Sequence, residues 1–258
     1  MLIDSHAHLE MKDFDPDRRE VIERARLAGV DCIITVGTNL SLSRKALSIA
    51  HQYENIYATV GVHPHDVAKS NDKSFDELQA LAQDPKVVAY GEIGLDFFRN
   101  ISPREKQIEI FARQLELANE LNLPVIIHDR DAHEQTLRMV KASGVRVGVF
   151  HCFSGDWAMA RQCIDLGFYI SVPGVVTFDK AKVLHDVVRQ APLDSILLET
   201  DCPYLTPIPK RGKRNEPSFI IHTAKKVAEI KGVTWEDVAQ TAARNTRKLF
   251  RIKTSPAK

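Results

Sequence analysis

The sequence predicts an α/β fold closed as a (β/α)8 TIM barrel, on three observations. Short β-branched runs alternate with longer polar stretches of helical periodicity along the chain. The runs number eight, a count that favours closing a parallel sheet on itself over leaving it open and doubly wound. No GxGxxG or P-loop sequence follows any run, which removes the usual signature of an open nucleotide-binding sheet.

The predicted strands are residues 2–8, 30–36, 56–63, 87–93, 124–128, 146–151, 168–172 and 195–201. Between them lie predicted helices at 15–28, 41–52, 74–83, 103–121, 132–142, 157–166 and 180–189, with apolar residues at spacings of three and four. In 103–121, for example, Ile108, Phe111, Leu115 and Ala118 form one stripe. Gly29, Gly144 and Gly167 stand where helix gives way to strand, as left-handed C-terminal caps do. Ser102 and Pro103 read as an N-cap and a first helical residue. Two more helical stretches, 218–230 and 235–250, are expected to pack on the outside of the barrel. No linker or composition shift divides the chain, so residues 1–258 read as a single domain.

Composition sets outer bounds. With 44% apolar and 27% charged residues, the chain is ordinary for a globular protein and carries enough apolar material for a large core. The 35 basic and 34 acidic residues leave a net charge of +1, so any contact with a polyanion has to rest on a local patch. Cys32, Cys152, Cys163 and Cys202 form no CxxC pair and read as reduced thiols. No signal-peptide pattern opens the sequence and no apolar run is long enough to span a bilayer, so a cytoplasmic protein with no membrane partner is expected.

In a barrel of this kind the chemistry sits at the C-terminal ends of the strands. Here those ends carry His6 and His8, His63, Glu92, His128, His151 and Asp201. One strand-end histidine is commonly a hydrogen-bonding residue; histidines on four strands, joined by carboxylates on two others, point to shared metal ions. Alternation along a strand sends His6 and His8, with Asp4, to the same side, so both imidazoles can reach one cation. Glu92 lies between Gly91 and Ile93-Gly94, where small neighbours allow close approach, and each carboxylate oxygen can bind a separate ion. Two divalent cations placed so can activate a water and stabilise charge on attacking and leaving oxygens. Asp201 is then both ligand and proton acceptor. His63 is expected to stand too far back for a ligand and to contact the reacting group or leaving oxygen.

These residues fall in motifs that are specific in combination. They are Asp4-Ser5-His6-Ala7-His8-Leu9, Gly61-Val62-His63-Pro64, Gly91-Glu92-Ile93-Gly94-Leu95-Asp96, and the run from Pro124 to Arg130. Later come His151-Cys152-Phe153-Ser154-Gly155, Glu199-Thr200-Asp201-Cys202-Pro203-Tyr204-Leu205, and the basic run from Arg211 to Pro217. From Asp4 to about Phe250 the chain resembles the TatD-type metal-dependent hydrolases of the amidohydrolase-like barrel superfamily, with Cys202 in place of the usual small residue. The resemblance implies a TIM barrel of the metal-dependent hydrolase type. It implies metal ligation by His6, His8, Glu92, His128, His151 and Asp201, and a magnesium- or manganese-assisted deoxyribonuclease acting as an exonuclease from strand ends. Single-stranded DNA ends are then the substrate, and two divalent ions the cofactor. The histidine-rich donor set leaves magnesium, manganese and zinc open.

Independent support for a phosphate-bearing substrate is partial. Lys210, Arg211, Lys213 and Arg214 cluster after the last strand, Arg130 lies two residues past His128, and Arg99 follows the Glu92 strand. Such groups can position backbone phosphates without reading sequence. Phe97, Phe98, Phe153 and Tyr204 fall near ligand positions and offer faces for bases or for packing. An amidohydrolase or lactonase would use the same metals on a small C–N or C–O ester substrate. Many such barrels bridge their metals with a modified lysine on the fourth strand, where this chain has Glu92. An inactive metal-binding barrel would be expected to lack a ligand or the base, and none is missing.

Overall fold

A computed structural model describes residues 1–253; the last five residues of the expected 1–258 domain lie outside the described residues. Eight parallel strands follow one another in spatial order around the barrel. They are β1 (Leu2–Ala7), β2 (Val30–Val36), β3 (Ile56–Val60), β4 (Val87–Asp96), β5 (Val125–Arg130), β6 (Gly148–Phe150), β7 (Tyr169–Val172) and β8 (Ile196–Leu198). Seven helices fill the connections: α1 (Arg18–Leu27), α2 (Leu40–Gln52), α3 (Asp72–Leu81), α4 (Arg104–Glu120), α5 (His133–Ser143), α6 (Trp157–Asp165) and α7 (Lys182–Gln190). Two more, α8 (Ile220–Lys231) and α9 (Trp235–Phe250), follow the last strand.

The strand faces alternate as a two-residue period requires. Ile33, Ile56, Ala58, Val125, Ile127, Ile170 and Ile196 join the helices in one buried cluster. Cys32, Ile34, Ile126, Val149 and Leu197, which alternate with them, form a second cluster together with Ala243, Leu249 and Phe250 of α9. Side chains and backbone also join the first strand to the last. The Asp201 amide donates to the His6 carbonyl and the His8 amide to the Cys202 carbonyl, both at 2.9 Å. Ser5 Oγ donates to the Leu198 carbonyl at 2.9 Å, and Asp4 accepts from the Thr200 amide at 3.0 Å.

Helix ends follow local chemistry. Gly29, Gly144 and Gly167 adopt φ of +83°, +80° and +89°, the left-handed region expected of them. Asn39, Asn71, Asp156 and Thr234 accept from backbone amides in the first turns of α2, α3, α6 and α9. At α4 the expectation is off by one residue: Pro103 is the cap and Arg104 the first helical residue. Ser102 Oγ instead accepts from the Ala68 amide and donates to the His65 carbonyl, tying the β3 loop to α4. The eighth strand is shorter than the predicted 195–201. Residues 193–195 form a 3-10 turn, and Asp201 lies beyond β8 with φ of +52°. That turn of the backbone, held by the His6 carbonyl, brings Asp201 back over the mouth of the barrel.

Candidate metal centre

Glu92 organises the site. It sits on β4 at 2% exposure, beside a glycine that has no room for a side chain: a Cβ on Gly91 would lie 2.7 Å from Ile126 Cβ and 2.9 Å from its carbonyl oxygen. The two oxygens of Glu92 face different partners. Oε2 is 3.3 Å from His6 Nε2 and 3.8 Å from His8 Nε2. Oε1 is 2.7 Å from His128 Nδ1, 2.7 Å from His151 Nε2 and 3.3 Å from His63 Nε2. Asp201 Oδ1 closes the first group, 3.3 Å from His8 Nε2 and 3.8 Å from His6 Nε2. The six expected ligands therefore converge as two groups joined by one carboxylate, and His63 stands inside the second rather than back from it.

The donor set fits a metal. His6 Nε2 and His8 Nε2 are 3.2 Å apart. Two imidazole nitrogens bound to one ion at about 2.1 Å each are separated by about 3 to 3.4 Å in octahedral or tetrahedral geometry. Groups of imidazole and carboxylate donors close enough for a cation occur at His6, His8 and Glu92, at His63, Glu92 and His128, and at His6, His151 and Glu199.

Protonation is set by burial and neighbours. Burial pushes the Glu92 carboxyl up, but the charges of His151 and His63 and hydrogen bonds from His128 and His151 outweigh it and hold it well below the carboxylate range. Burial likewise opposes ionisation of Asp201, and His8, His6 and His151 reverse the sign and lower it. His6 is lowered to about 4 by burial and the nearby charge of His151, and His63 to about 4 mainly by burial. His128 goes the other way. Burial is outweighed by hydrogen bonds to Asp96 and Glu92, which raise it to about 9.

Outside the two groups stands a ring of partners that the strand-end reading did not assign. Glu10 Oε1 is 3.1 Å from His8 Nδ1, and its other oxygen accepts from Thr35 Oγ1 at 2.8 Å. Asp96 Oδ2 lies 3.2 Å from His128 Nε2 and 2.8 Å from His65 Nε2. Glu199 accepts from the Cys152 amide at 2.6 Å and approaches His151 Nδ1 at 3.8 Å. Outer groups within hydrogen-bond reach, as Glu10 and Asp96 are, set the tautomer and orientation of ligating histidines, whereas Glu199 at 3.8 Å makes no hydrogen bond to His151. The missed signal is spacing. Glu10, His65 and Glu199 each lie two residues from His8, His63 and Asp201, the separation that keeps side chains on one side of an extended chain. Asp4, by contrast, does not share the site with His6 and His8. A register irregularity in β1 after Asp4 turns it to the Thr200 amide and hydroxyl, at 3.0 and 2.5 Å.

The basic residues divide. Arg99, Arg130, Arg211 and Lys213 are exposed and Lys210 is half-buried. Arg211 packs over Phe178, and Lys210 over Phe219. Arg214 is engaged elsewhere: it pairs with Asp17 at 2.7 Å, donates to the Asp13 carbonyl and covers Phe14. Of the aromatic candidates, Phe153 is buried in the core and Phe97 packs against it. Phe98 and Tyr204 remain exposed.

A family profile described as "TatD related DNase" matches residues 3–251. The chain belongs to the TatD family. Among TatD relatives, an uncharacterized metal-dependent hydrolase, YabD of Bacillus subtilis strain 168, is 43% identical, covering 98% of this chain and 100% of its own. The 3'-5' ssDNA/RNA exonuclease TatD of Cronobacter sakazakii is 40% identical, covering 99% of this chain and 100% of its own. The crystal structure of YjjV, a TatD homologue from Escherichia coli K12, superposes with a TM-score of 0.93 at 34% identity over 98% of each chain. This TatD-family chain is a metal-dependent hydrolase with the barrel those relatives share. No helix among the described residues is long and apolar enough to cross a membrane.

Proposed function

We propose that the chain is a metal-dependent exonuclease that hydrolyses phosphodiester bonds at the ends of single-stranded nucleic acid. The observation that carries this reading is the division of Glu92, with Oε2 turned to His6 and His8 and Oε1 to His128 and His151. A phosphodiester displacement needs charge compensation at both attacking and leaving oxygens, and a bridged pair of cation sites suits that need. The relative named as a 3'-5' ssDNA/RNA exonuclease supports the same substrate class.

In this reading His6, His8, Asp201 and Glu92 would hold one divalent ion, and His128, His151 and Glu92 would hold a second. Bound ions there would lower the pKa of water and stabilise negative charge on phosphate oxygens. The imidazole-rich donors favour manganese or zinc over magnesium in affinity. Asp201, ionised and poised over the mouth, takes the proton from the attacking water. His63, neutral and beside Glu92, contacts the leaving oxygen. Arg99, Arg130, Lys210, Arg211 and Lys213 hold backbone phosphates without reading sequence. The four free cysteines fit the cytoplasm.

The test is turnover of single-stranded oligonucleotides, phosphomonoesters, amides and lactones by metal-replete protein beside Asp201→Asn. Cleavage of oligonucleotides, reduced by about 100-fold or more in the variant, is expected from loss of a general base. Turnover of amides or lactones alone would overturn the nuclease reading, and equal turnover by both proteins would remove Asp201 from its role.

A further inference from the structure

Phe98 is an aromatic ring with no structural employment. It follows Asp96 at the end of β4 by two residues, so its Cα stands within about 7 Å of that of a residue touching His128. Its side chain is 58% exposed and belongs to neither buried cluster nor to the residues packed against them. Exposing a phenyl ring forfeits the burial that drives packing. The neighbouring Phe97 satisfies that demand by packing on the core, with Arg104 over its face. Phe98 does not.

What it has instead is Arg130. The guanidinium carbon lies 4.1 Å from the Phe98 ring centroid, and among the described residues no carboxylate pairs with this arginine. The two residues are brought together by register: Asp96 on β4 pairs with Arg130 on β5, and the Phe97 amide donates to the Arg130 carbonyl at 2.9 Å. Stacked on a ring, a guanidinium keeps its N–H edges free for a phosphate, while the ring keeps a face free for a second planar group. A planar apolar group beside an anion is the outline of one nucleotide.

We infer that Phe98 and Arg130 form a nucleobase platform at the rim of the metal centre: an unpaired base stacks on Phe98 while Arg130 binds the adjoining phosphate. The inference rests on the nuclease reading and deepens it. A base can reach such a platform only when it is unstacked from its neighbours, so the platform selects single strands and frayed ends over intact duplex. Stacking is tolerant of base identity because every base has a π-face, so the preference is for strandedness and not for sequence.

The test couples the ring to the base. Manganese-loaded wild type, Phe98→Ala and Phe98→Trp are compared on a single-stranded oligonucleotide and on versions made abasic at each of the three terminal positions in turn. Wild type is expected to discriminate against one abasic position by about 5- to 150-fold in kcat/KM, the size of a stacked base. Phe98→Ala should lose that discrimination and Phe98→Trp keep it. Discrimination retained in Phe98→Ala, with oligonucleotides still cut, overturns the platform and leaves the nuclease reading standing. If wild type cuts no oligonucleotide, the nuclease reading falls, and fluorescence anisotropy with the same strands decides the platform. Base-dependent binding lost in Phe98→Ala would keep it, and equal binding by the two proteins would overturn it.

Discussion

Glu10→Gln is the sharpest probe of the site, because it removes one charge without removing a ligand. His8 Nδ1 faces Glu10 Oε1 at 3.1 Å and the Val36 carbonyl at 3.2 Å. Both are acceptors, so Nδ1 holds its proton when the ring is neutral and Nε2 is the nitrogen that sheds its proton for a cation. Glutamine keeps the shape, and with its one acceptor turned to the His8 Nδ1–H its amide NH2 can donate to Thr35 Oγ1, while Val36 still holds the tautomer, so the change is chiefly electrostatic. Adding the ring width and an N–metal bond of about 2.1 Å to the 3.1 Å contact puts the Glu10 charge about 7 Å from an ion on Nε2. At an effective dielectric constant of about 20, one negative charge attracts a dication at about 7 Å by about 5 kcal/mol. That figure is a ceiling, since the amide dipole remains and neighbours relax. Loss of an outer carboxylate behind a ligating histidine typically weakens metal binding about 10- to 100-fold, and that is the expected range for the site that includes His8. Chelator competition and calorimetry with manganese and zinc measure it, with the second site serving as an internal reference. Unchanged affinity at both sites would refute the electrostatic role of Glu10. An equal loss when the mutation is repeated in a His8→Ala background would show that it does not act through His8.

Four further outcomes follow from the same geometry. Metal uptake should release protons and tighten as the pH rises from about 6 to about 9, because a ligand nitrogen must shed its proton to bind. His128 is raised to about 9 by Asp96 and Glu92 against the opposing effect of burial, and hydrogen bonding and charge likewise lift His8 and His151. Affinity that is flat or falls over that interval, followed by chelator competition, would contradict this. Gly91→Ala forces a methyl group to within 2.7 Å of Ile126 Cβ. It should cost about 1–3 kcal/mol from overpacking and weaken metal binding by displacing Glu92; thermal denaturation at wild-type temperature would show that the site can yield. Arg211→Ala should reduce the salt dependence of single-stranded DNA binding by about one in slope. Arg214→Ala, whose arginine is tied to Asp17, should instead lower stability and leave that slope alone.

The features legible in the linear sequence were those with a short period or a positional rule. Alternation of β-branched runs with helical stripes located every strand of the barrel, and the polar residues ending those runs included both carboxylates and all the histidines that surround Glu92. The details that failed depend on backbone conformation. Asp4 has the spacing of a third inward group on β1, yet a register irregularity turns it to Thr200. Asp201 reads as the end of a strand, yet it lies past β8 on a left-handed turn. Arg214 reads like its basic neighbours, yet its partner Asp17 lies far away in sequence.

By itself, the sequence determined which chemistry the chain can hold: imidazoles and carboxylates at the C-terminal ends of parallel strands, where side-chain alternation and barrel closure bring distant segments together. Only the tertiary structure decided how those groups are shared. Which oxygen of Glu92 meets which histidines, which acid supports each imidazole, and which of the basic and aromatic side chains remain uncommitted all depend on non-local distances of a few ångströms. Electrostatic and hydrogen-bond energies change steeply over those distances, and no local pattern of residues encodes them.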